Sequence, residues 1–397
     1  MRKRRSRYTM IFALVTVLSM MMMIQYQIST LTLLLEEEES SSSFAGSRSS
    51  NTPRVPKVLT GRPSWTVLGG WYKSERQCRK YAAEIREHWR QSEPTFCGPN
   101  KSNDDGSCPY MVHTELLHNR KKVRDSRQEQ IPVLSFLVTQ PSWLKLNIVV
   151  GEQDHKNPPD WLAHLLRDER YRHRLQITYF DFMSLKDLPT KEILAEAFQT
   201  VPTLANKSDL RRFALLYNYG GLWFDTDTVF INDVSPLMGL DFVYVAGSRY
   251  NGAVMGASVP KSRFMRAAIE HACDTFTYNK NAESYYKFAH DLFRDLIARQ
   301  SDLFSKLSGC LFECGWGGKF KNGPEAFVDV WAKPTTYQKN QFFLDPEGVF
   351  SFHWHGHWGQ IIEPKSLGSV AHANYVRQLE IDPKIFLSAT EDNWANI

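Results

Sequence analysis

The clearest periodic pattern in the chain lies between Ser208 and Gly220. Apolar side chains recur there at intervals of three and four residues, at Leu210, Phe213, Ala214 and Tyr217. This spacing predicts an amphipathic helix. Ser208 can cap its N-terminus, and Gly220 can supply the left-handed conformation that ends it.

The segment that follows, Leu222 to Ile231, is rich in aromatic and β-branched residues and predicts a strand. Asp225 and Asp227 lie two positions apart, so on an extended chain their carboxylates share one face. Two buried carboxylates cost several kcal/mol unless a counter-charge is present, and a divalent cation with oxygen ligands commonly supplies it. Mg²⁺ or Mn²⁺ held by two protein carboxylates keeps free positions for substrate phosphates. The alternative is a pair of solvated turn residues.

The region from Ile131 onward alternates between strand-like and helix-like patterns. Predicted strands are Ile131–Thr139, Leu146–Val150, Leu175–Phe180, Phe242–Ala246 and Ala253–Val259. Predicted helices are Asp160–Arg167, Lys191–Phe198, Ser262–Phe276 and Tyr285–Arg299. This alternation predicts an α/β fold whose mostly parallel sheet has helices on both faces and binds ligands at the carboxyl ends of its strands.

The N-terminal residues predict membrane attachment. Residues 1–7 are strongly basic, and residues 8–28 carry no charge over roughly the 20 positions that span a bilayer core. We expect a cytoplasmic tail, a transmembrane signal anchor and, in residues 29–57, a flexible stem of low complexity. A cleaved signal peptide is the alternative, although no A-x-A-like site follows the apolar run. The rest of the chain would then be lumenal.

Composition indicates a packed globular protein. The chain is 42% hydrophobic, and its net charge of +5 sits largely in the basic tail, which argues against nucleic-acid binding. All six cysteines follow the predicted span, which favours disulfides in an oxidising lumen; the spacing of Cys310 and Cys314 does not suit a zinc site.

Residues 58–130 would form a cysteine-containing elaboration, with a helix at Ser74–Gln91 and a glycosylation acceptor at Asn100. A second acceptor, Asn206, would be used less readily.

A second chemically rich segment, Phe350–Trp358, reads FSFHWHGHW. If it is extended, His353, His355 and His357 project to one face. The alternative is an aromatic cluster with buried core histidines. The remaining carboxylates Glu313, Glu325 and Asp345 have no assigned role, and surface positions are expected for them.

Several of these residues together resemble the D-x-D sugar-binding region of family 32 glycosyltransferases. The resemblance rests on Ser208-Asp209, Arg212, Gly220-Gly221 and Asp225-Thr226-Asp227, and continues in Ser248-Arg249-Tyr250-Asn251-Gly252-Ala253 and Gly323-Pro324. It covers about Ile131 to Gln360. The family includes α1,4-galactosyl- and α1,4-N-acetylglucosaminyltransferases and the fungal initiating α1,6-mannosyltransferases.

The resemblance implies a GT-A catalytic domain over residues 131–397, with Val133–Val138 as the first strand of its nucleotide-binding half. It implies that Asp227 and Asp225 hold Mn²⁺ or Mg²⁺, with Asp225 acting through a water or through the ribose of the donor. A histidine would complete the metal shell or hydrogen-bond the diphosphate; His353 is the best positional match and His355 the next. Asp209, Asn251 and Ser208 would contact the donor.

Arg212 would either form a buried ion pair that fixes the motif or contact phosphate. As catalytic residues we expect Asp225, Asp227, Asp209 and Asn251.

The implied activity is transfer of galactose or N-acetylglucosamine from a UDP-sugar to a glycan or glycolipid, with retention of anomeric configuration, by a single-pass type II Golgi membrane protein. Asn251 follows Tyr250 directly, where the galactosyl branch has intervening residues, so GDP-mannose remains an alternative donor. A lumenal glycan-binding or scaffold protein without catalysis is the alternative of another class, and it would need a broken motif.

Overall fold

The computed structural model describes residues 75–92, 111–116, 126–201, 204–246, 249–278, 285–313, 329–332, 349–356 and 362–386. These residues all lie in one compact unit, Gly61–Ile397. Within them, no helix combines the length and apolar character needed to cross a membrane. The predicted tail, anchor and stem lie outside the described residues.

A seven-stranded sheet forms the centre of the fold, in the order β3-β2-β1-β4-β7-β6-β8. Its strands are β1 Met111–Glu115, β2 Lys145–Val150, β3 Leu175–Tyr179, β4 Gly221–Phe224, β6 Phe242–Ala246, β7 Arg249–Ala257 and β8 Ser305–Ser308; the short strands β5 Thr228–Phe230 and β9 Ser351–His353 pair separately. The first four neighbours, β3, β2, β1 and β4, run parallel, and β6 and β8 are parallel to each other. β7 is antiparallel to both β4 and β6.

Helices cover both faces of this sheet. They are α1 Glu75–Ser92, α2 Arg127–Thr139, α3 Glu152–Lys156, α4 Asp160–Arg167, α5 Lys191–Thr200, α6 Leu204–Tyr219, α7 Arg263–Tyr278, α8 Tyr285–Arg299, α9 Asp329–Ala332, α10 Leu367–Gln378 and α11 Pro383–Phe386. Leu222 and Phe224 of β4 pack in one core with residues of α2 and α10, whereas Trp223 packs in a second core with α6, α7 and α8. Because side chains alternate along a strand, one short strand contributes to both layers. The predicted α/β class is confirmed, and the mainly parallel sheet fits the GT-A architecture.

Most of the predicted elements are present, but the prediction of a strand at Ile131–Thr139, including Val133–Val138, is wrong. This segment is the helix α2, and nearly all of its side chains from Arg127 to Leu137 are buried. A helix that is apolar on every side gives no 3.6-residue pattern, so it resembles a buried strand in sequence.

The first strand of the sheet lies further upstream, at Met111–Glu115, and it occupies the position between β2 and β4. The sheet therefore begins before Ile131, inside the segment 58–130 that the sequence predicted to be an elaboration of the catalytic domain. Helix α1, which confirms the helix predicted at Ser74–Gln91, is joined to the turn after β8 by a disulfide between Cys78 and Cys310. Residues 75–92 and 111–116 are thus part of the same unit as the sheet.

The expectation that all six cysteines form disulfides is wrong for Cys273, which is a buried thiol on α7. The thiol lies 3.1 Å from the Thr190 hydroxyl, and burial raises its pKa. Cys97, Cys108 and Cys314 lie outside the described residues.

Candidate active site

The helix that precedes the D-x-D motif is α6, and it starts at Leu204, earlier than the sequence predicted. Ser208 is therefore a buried residue within the helix and not its N-cap. The predicted stop is confirmed: Gly220 has a φ of +66°, and its amide donates to the Leu216 carbonyl at 2.9 Å. Gly221, with a φ of +87°, turns the chain into β4.

The motif itself is not part of one continuous strand. β4 ends at Phe224 and β5 begins at Thr228, so Asp225-Thr226-Asp227 forms the turn between two strands. The Asp225 amide donates to the Ala253 carbonyl on β7, and the Asp227 carbonyl accepts from the Trp354 amide. These contacts hold the turn at the carboxyl end of β4, because both neighbouring segments fix its backbone.

This end of β4 adjoins the point where the sheet topology changes direction. From β1 the chain continues to β2 and β3 on one side, while β4 lies on the other side of β1. In open α/β sheets, ligands bind in the crevice outside the carboxyl ends of the strands at such a point. Glu115 ends β1 and Asp225 follows β4, so both residues lie at this edge of the sheet.

Arg212 is buried and contacts the motif from α6. Its Nη2 lies 2.9 Å from Asp225 Oδ1 and 3.1 Å from Asp209 Oδ1. The guanidinium also lies over the Trp223 ring, whose Nε1 donates to the same Asp225 oxygen at 2.6 Å. Of the two roles that the sequence left open for Arg212, the structure has the buried ion pair.

Burial raises the pKa of Asp209 to about 6, although Arg212 acts in the opposite direction. Asp209 Oδ2 is buried and has no hydrogen-bond partner among the described residues. Asp209 therefore supports Arg212 beneath the turn, in the same buried charge cluster as Asp225.

Asp225, Asp227 and His353 form a group whose potential ligand atoms all lie within 4.8 Å of one another. His353 Nε2 is 3.2 Å from Asp227 Oδ1, yet this buried oxygen makes no hydrogen bond within the described part of the chain. Burial raises the pKa of Asp225; at Asp227 burial acts in the same direction but is outweighed by His353, so that pKa lies below its ordinary value. Two carboxylates and an imidazole, with an orphaned buried oxygen between them, fit a divalent cation such as Mn²⁺ or Mg²⁺.

The pairing of β5 with β9 places His353 in this group. The two short strands are antiparallel, with Thr228 opposite His353, so a residue near the C-terminal end of the chain lies beside Asp227. The shared face predicted for His353, His355 and His357 required an extended segment, but the strand ends at His353, because His355 has a φ of +57° and turns the chain. The His353 and His355 rings instead lie against each other with centroids 4.0 Å apart, and His357 lies outside the described residues.

The alternative prediction for this segment, an aromatic cluster in the core, is correct for Trp354, the residue between the two histidines. Trp354 is fully buried and packs edge-on against Trp331 with ring centroids 5.1 Å apart. The segment thus has one face in the core and one in the site.

Glu313 is a site residue that the sequence did not identify, and the expectation of a surface position for it is wrong. Its side chain is fully buried, and its Oε1 accepts hydrogen bonds from Tyr244 at 2.6 Å and from Asn251 at 3.2 Å. Burial acts to raise the pKa of Glu313, but His353 and His355 outweigh it and bring the pKa to about 2. No local pattern marks Glu313 in the sequence; its proximity to Cys310 is the one feature that could have drawn attention to it.

Asn251 reaches the site through Glu313. Its Nδ2 donates to that carboxylate, while its Oδ1 accepts from the Ala253 amide at 2.8 Å. Both ends of the amide are therefore used within the protein, which fixes the side chain on β7. Among the described residues, no hydrogen bond or ion pair joins the Ser208 hydroxyl to Asp225 or Asp227.

Comparison with protein-family models matches residues 147–242 to the glycosyltransferase sugar-binding region containing the DXD motif. The matched segment runs from β2 through the D-x-D turn to the start of β6. A comparison with curated proteins found no match.

Similar solved structures are also glycosyltransferases by their titles. The PaToxG glycosyltransferase is 15% identical with a TM-score of 0.37, and the match covers 57% of this chain and 79% of that one. Mouse xyloside xylosyltransferase 1 in its apo form is 14% identical with a TM-score of 0.37, over 62% of this chain and 97% of that one. The apo form of GlyE from Streptococcus pneumoniae TIGR4 is 13% identical with a TM-score of 0.37, over 71% and 65%. At these scores the likenesses add nothing to the assignment of function.

The matched sugar-binding region and the D-x-D turn define the class of the protein: it is a glycosyltransferase with a DXD sugar-binding region. The resemblance to this class drawn from the sequence is therefore confirmed. The match does not distinguish the subfamilies within it.

Proposed function

We propose that the protein transfers galactose or N-acetylglucosamine from a UDP-sugar to a glycan or glycolipid acceptor, with a divalent cation bound by Asp225, Asp227 and His353. The observation that carries this proposal is the convergence of these three side chains, within 4.8 Å, at the carboxyl end of β4. A nucleotide sugar has a diphosphate whose negative charge grows as the anomeric bond breaks. Mn²⁺ or Mg²⁺, when bound, would neutralise that charge as a Lewis acid.

The chain's own residues would hold the donor in the crevice between β1 and β4. Arg212 is occupied by two carboxylates, so its role is to fix Asp225 in place and not to contact phosphate. Glu115 at the end of β1 is buried and forms an ion pair with Arg211. This pair would form the wall of the crevice on the nucleotide side, opposite the D-x-D turn.

Asn251 and Asp209 take revised roles in the proposal. Asn251 is half-buried and lies near the N-terminal end of β7, where its fixed amide would face the donor sugar. Asp209 would act through Arg212, since it is only 2% exposed and its carboxylate faces that guanidinium. For Ser208 a donor contact stays a prediction from the resemblance.

Retention of anomeric configuration is part of the proposal and is supported by the family resemblance alone. In such a reaction the acceptor hydroxyl can attack on the face that the diphosphate leaves, which requires no enzyme nucleophile. GDP-mannose is the second candidate donor, because the direct succession of Tyr250 and Asn251 departs from the spacing of the galactosyl branch. The basic and apolar N-terminal residues support a type II membrane protein of the Golgi.

The test is donor hydrolysis by the full-length protein in detergent, with UDP-galactose, UDP-N-acetylglucosamine, UDP-glucose and GDP-mannose, in Mn²⁺ and in chelator. We expect turnover of one UDP-sugar that requires Mn²⁺ and is lost in Asp227→Asn. Asp187→Asn is the matched control, because that aspartate is exposed and pairs with Lys261 at the surface. Turnover of GDP-mannose alone would show that the donor is GDP-mannose and not a UDP-sugar. A folded protein that turns over none of these donors would contradict the proposed transferase activity. It would favour the alternative, a glycan-binding or scaffold protein without catalysis.

A further inference from the structure

Behind the proposed metal site, three side chains from distant parts of the chain form a buried row. Tyr244 on β6 donates its hydroxyl proton to Glu313 Oε1 at 2.6 Å. The same hydroxyl oxygen lies 2.9 Å from His353 Nδ1. The other ring nitrogen of His353, Nε2, faces Asp227 at 3.2 Å.

The direction of these hydrogen bonds follows from the number of protons present. A tyrosine hydroxyl has one proton, and an ionised carboxylate can only accept. Because the Tyr244 proton is directed at Glu313, the Tyr244 oxygen can only accept from His353. His353 Nδ1 must therefore carry a proton.

This assignment decides what the other ring nitrogen can do. In a neutral imidazole one nitrogen is protonated and the other has a lone pair, and the bond made by the first fixes the identity of the second. When the ring is neutral, as a metal-binding imidazole is, donation from Nδ1 leaves the lone pair on Nε2, the nitrogen that faces Asp227. Metal-binding histidines are commonly oriented in this way by a hydrogen-bond acceptor behind the ring.

We propose that Tyr244 and Glu313 are positioning residues that hold His353 with Nδ1 protonated, so that Nε2 is presented as a metal ligand beside Asp225 and Asp227. The inference rests on the metal site of the proposed function. All three side chains are buried, with Tyr244 and Glu313 at 0% and 1% exposure and His353 at 3%, so no bulk water competes for the hydrogen bonds.

Glu313 has two further contacts in the site, with Asn251 and His355. Glu313 also accepts from Asn251, and its Oε1 lies 2.9 Å from His355 Nε2. Glu313 thus joins the proposed metal ligand to the strand that would contact the donor sugar. Loss of its acceptor oxygen would free the Tyr244 proton to turn toward His353 Nδ1, which would place the ring proton on Nε2 and block the metal ligand.

The experiment measures Mn²⁺ binding directly, by electron paramagnetic resonance of free Mn²⁺, in the full-length protein and its variants. Tyr244→Phe should weaken Mn²⁺ binding about 10- to 100-fold, the range found when such supporting partners are removed. Excess Mn²⁺ should restore donor turnover in this variant. Glu313→Gln, which keeps a carbonyl oxygen able to accept the tyrosine proton, should weaken binding less than Tyr244→Phe.

Tyr171→Phe is the matched control, since it removes a buried hydroxyl bonded at 2.6 Å to the Leu379 carbonyl, away from the site. It should leave Mn²⁺ binding at the wild-type value. Equal Mn²⁺ affinity in Tyr244→Phe and wild type would overturn the inference while leaving the metal site intact. If Tyr244→Phe lowers turnover and excess Mn²⁺ does not restore it, the hydroxyl has a structural role and the inference is wrong. A wild-type protein that binds no Mn²⁺ would contradict the proposed function itself, and the inference with it.

Discussion

The buried Arg212 and the partly buried Asp225, whose side chain is 22% exposed, form an ion pair with Nη2 2.9 Å from Oδ1 that joins helix α6 to the turn after β4. Only 4% of the arginine side chain is exposed, and its second partner, Asp209, is equally buried. One cation thus balances two carboxylates where water has little access. The D-x-D turn is thus held by this ion pair as well as by the backbone hydrogen bonds of Asp225 and Asp227.

Arg212→Met should therefore destabilise the protein strongly. Removing one member of a buried charge cluster leaves the others uncompensated, which costs about 3–5 kcal/mol. Arg212→Lys should cost less, because it keeps the charge and loses only the planar fork. The free energy of unfolding in urea measures both effects.

Arg172→Met provides the control for that series, because Arg172 is exposed and its ion pair with Glu169 is at the surface. We expect its unfolding midpoint to equal that of wild type. A midpoint for Arg212→Met that is also unchanged would show that the buried pair contributes nothing net.

Gly221→Ala should prevent stable folding. A Cβ at this position would overlap the Met111 carbonyl oxygen of β1, and the φ of +87° adds strain. Since backbone atoms of the central strand cannot move aside cheaply, we expect a loss above about 4 kcal/mol. Soluble yield and thermal unfolding are the measurements.

Gly239→Ala measures the cost of backbone strain without the steric overlap, and so separates the two causes. Gly239 has a similar φ of +78°, but a methyl group there would have no atom of the described residues within 4 Å. Its cost should be the backbone strain alone, about 1–2 kcal/mol. Equal losses in the two variants would mean that contact with β1 is not what requires glycine at position 221.

The stability of the fold should fall in mild acid because of His113. Its ring bridges the Gly220 carbonyl and the Asn147 amide, each at 3.1 Å. Burial lowers its pKa from 6.5 to about 4, although the hydrogen bond to Gly220 acts in the opposite direction. Between these values the unfolded chain binds a proton that the folded protein excludes. Stability present above pH 6.5 is thus lost as the pH falls toward 4.

The expected size of this effect is on the order of 3 kcal/mol. His113→Gln should be less stable at neutral pH but should show a smaller decline across this interval, as measured by urea unfolding at each pH. His155→Gln, at an exposed position, should decline as wild type does. A parallel decline in His113→Gln would assign the acid sensitivity to other groups.

The disulfide between Cys78 and Cys310 should stabilise the attachment of α1 to the sheet. It closes a separation of 232 residues, and removing a native disulfide typically costs about 2–5 kcal/mol. The double variant Cys78→Ala/Cys310→Ala should lose stability within this range in urea. Peptide mapping without reductant should recover the two cysteines in one linked fragment, and a map that pairs either with another cysteine would refute the assignment.

The sequence alone determined the elements whose signals are local. Apolar periodicity predicts helix α6, and Gly220 predicts where that helix ends. Short apolar runs predict the strands β2, β3 and β6. The two aspartates stand out because adjacent charges interrupt a hydrophobic strand. The resemblance built on these residues identified the class, since the D-x-D turn and the helix before it are one contiguous stretch.

The tertiary structure alone decided which distant side chains meet. Tyr244 lies 69 residues from Glu313 and 109 from His353, and the pairing of β6 with β8 and β5 with β9 brings the three together. The pairing of Cys78 with Cys310 and the place of β1 between β2 and β4 were likewise not readable from the sequence. Hydrophobic periodicity reports which face of an element is buried, but it carries no information about the partner that buries it. Contacts between elements are fixed only when the whole sheet is assembled.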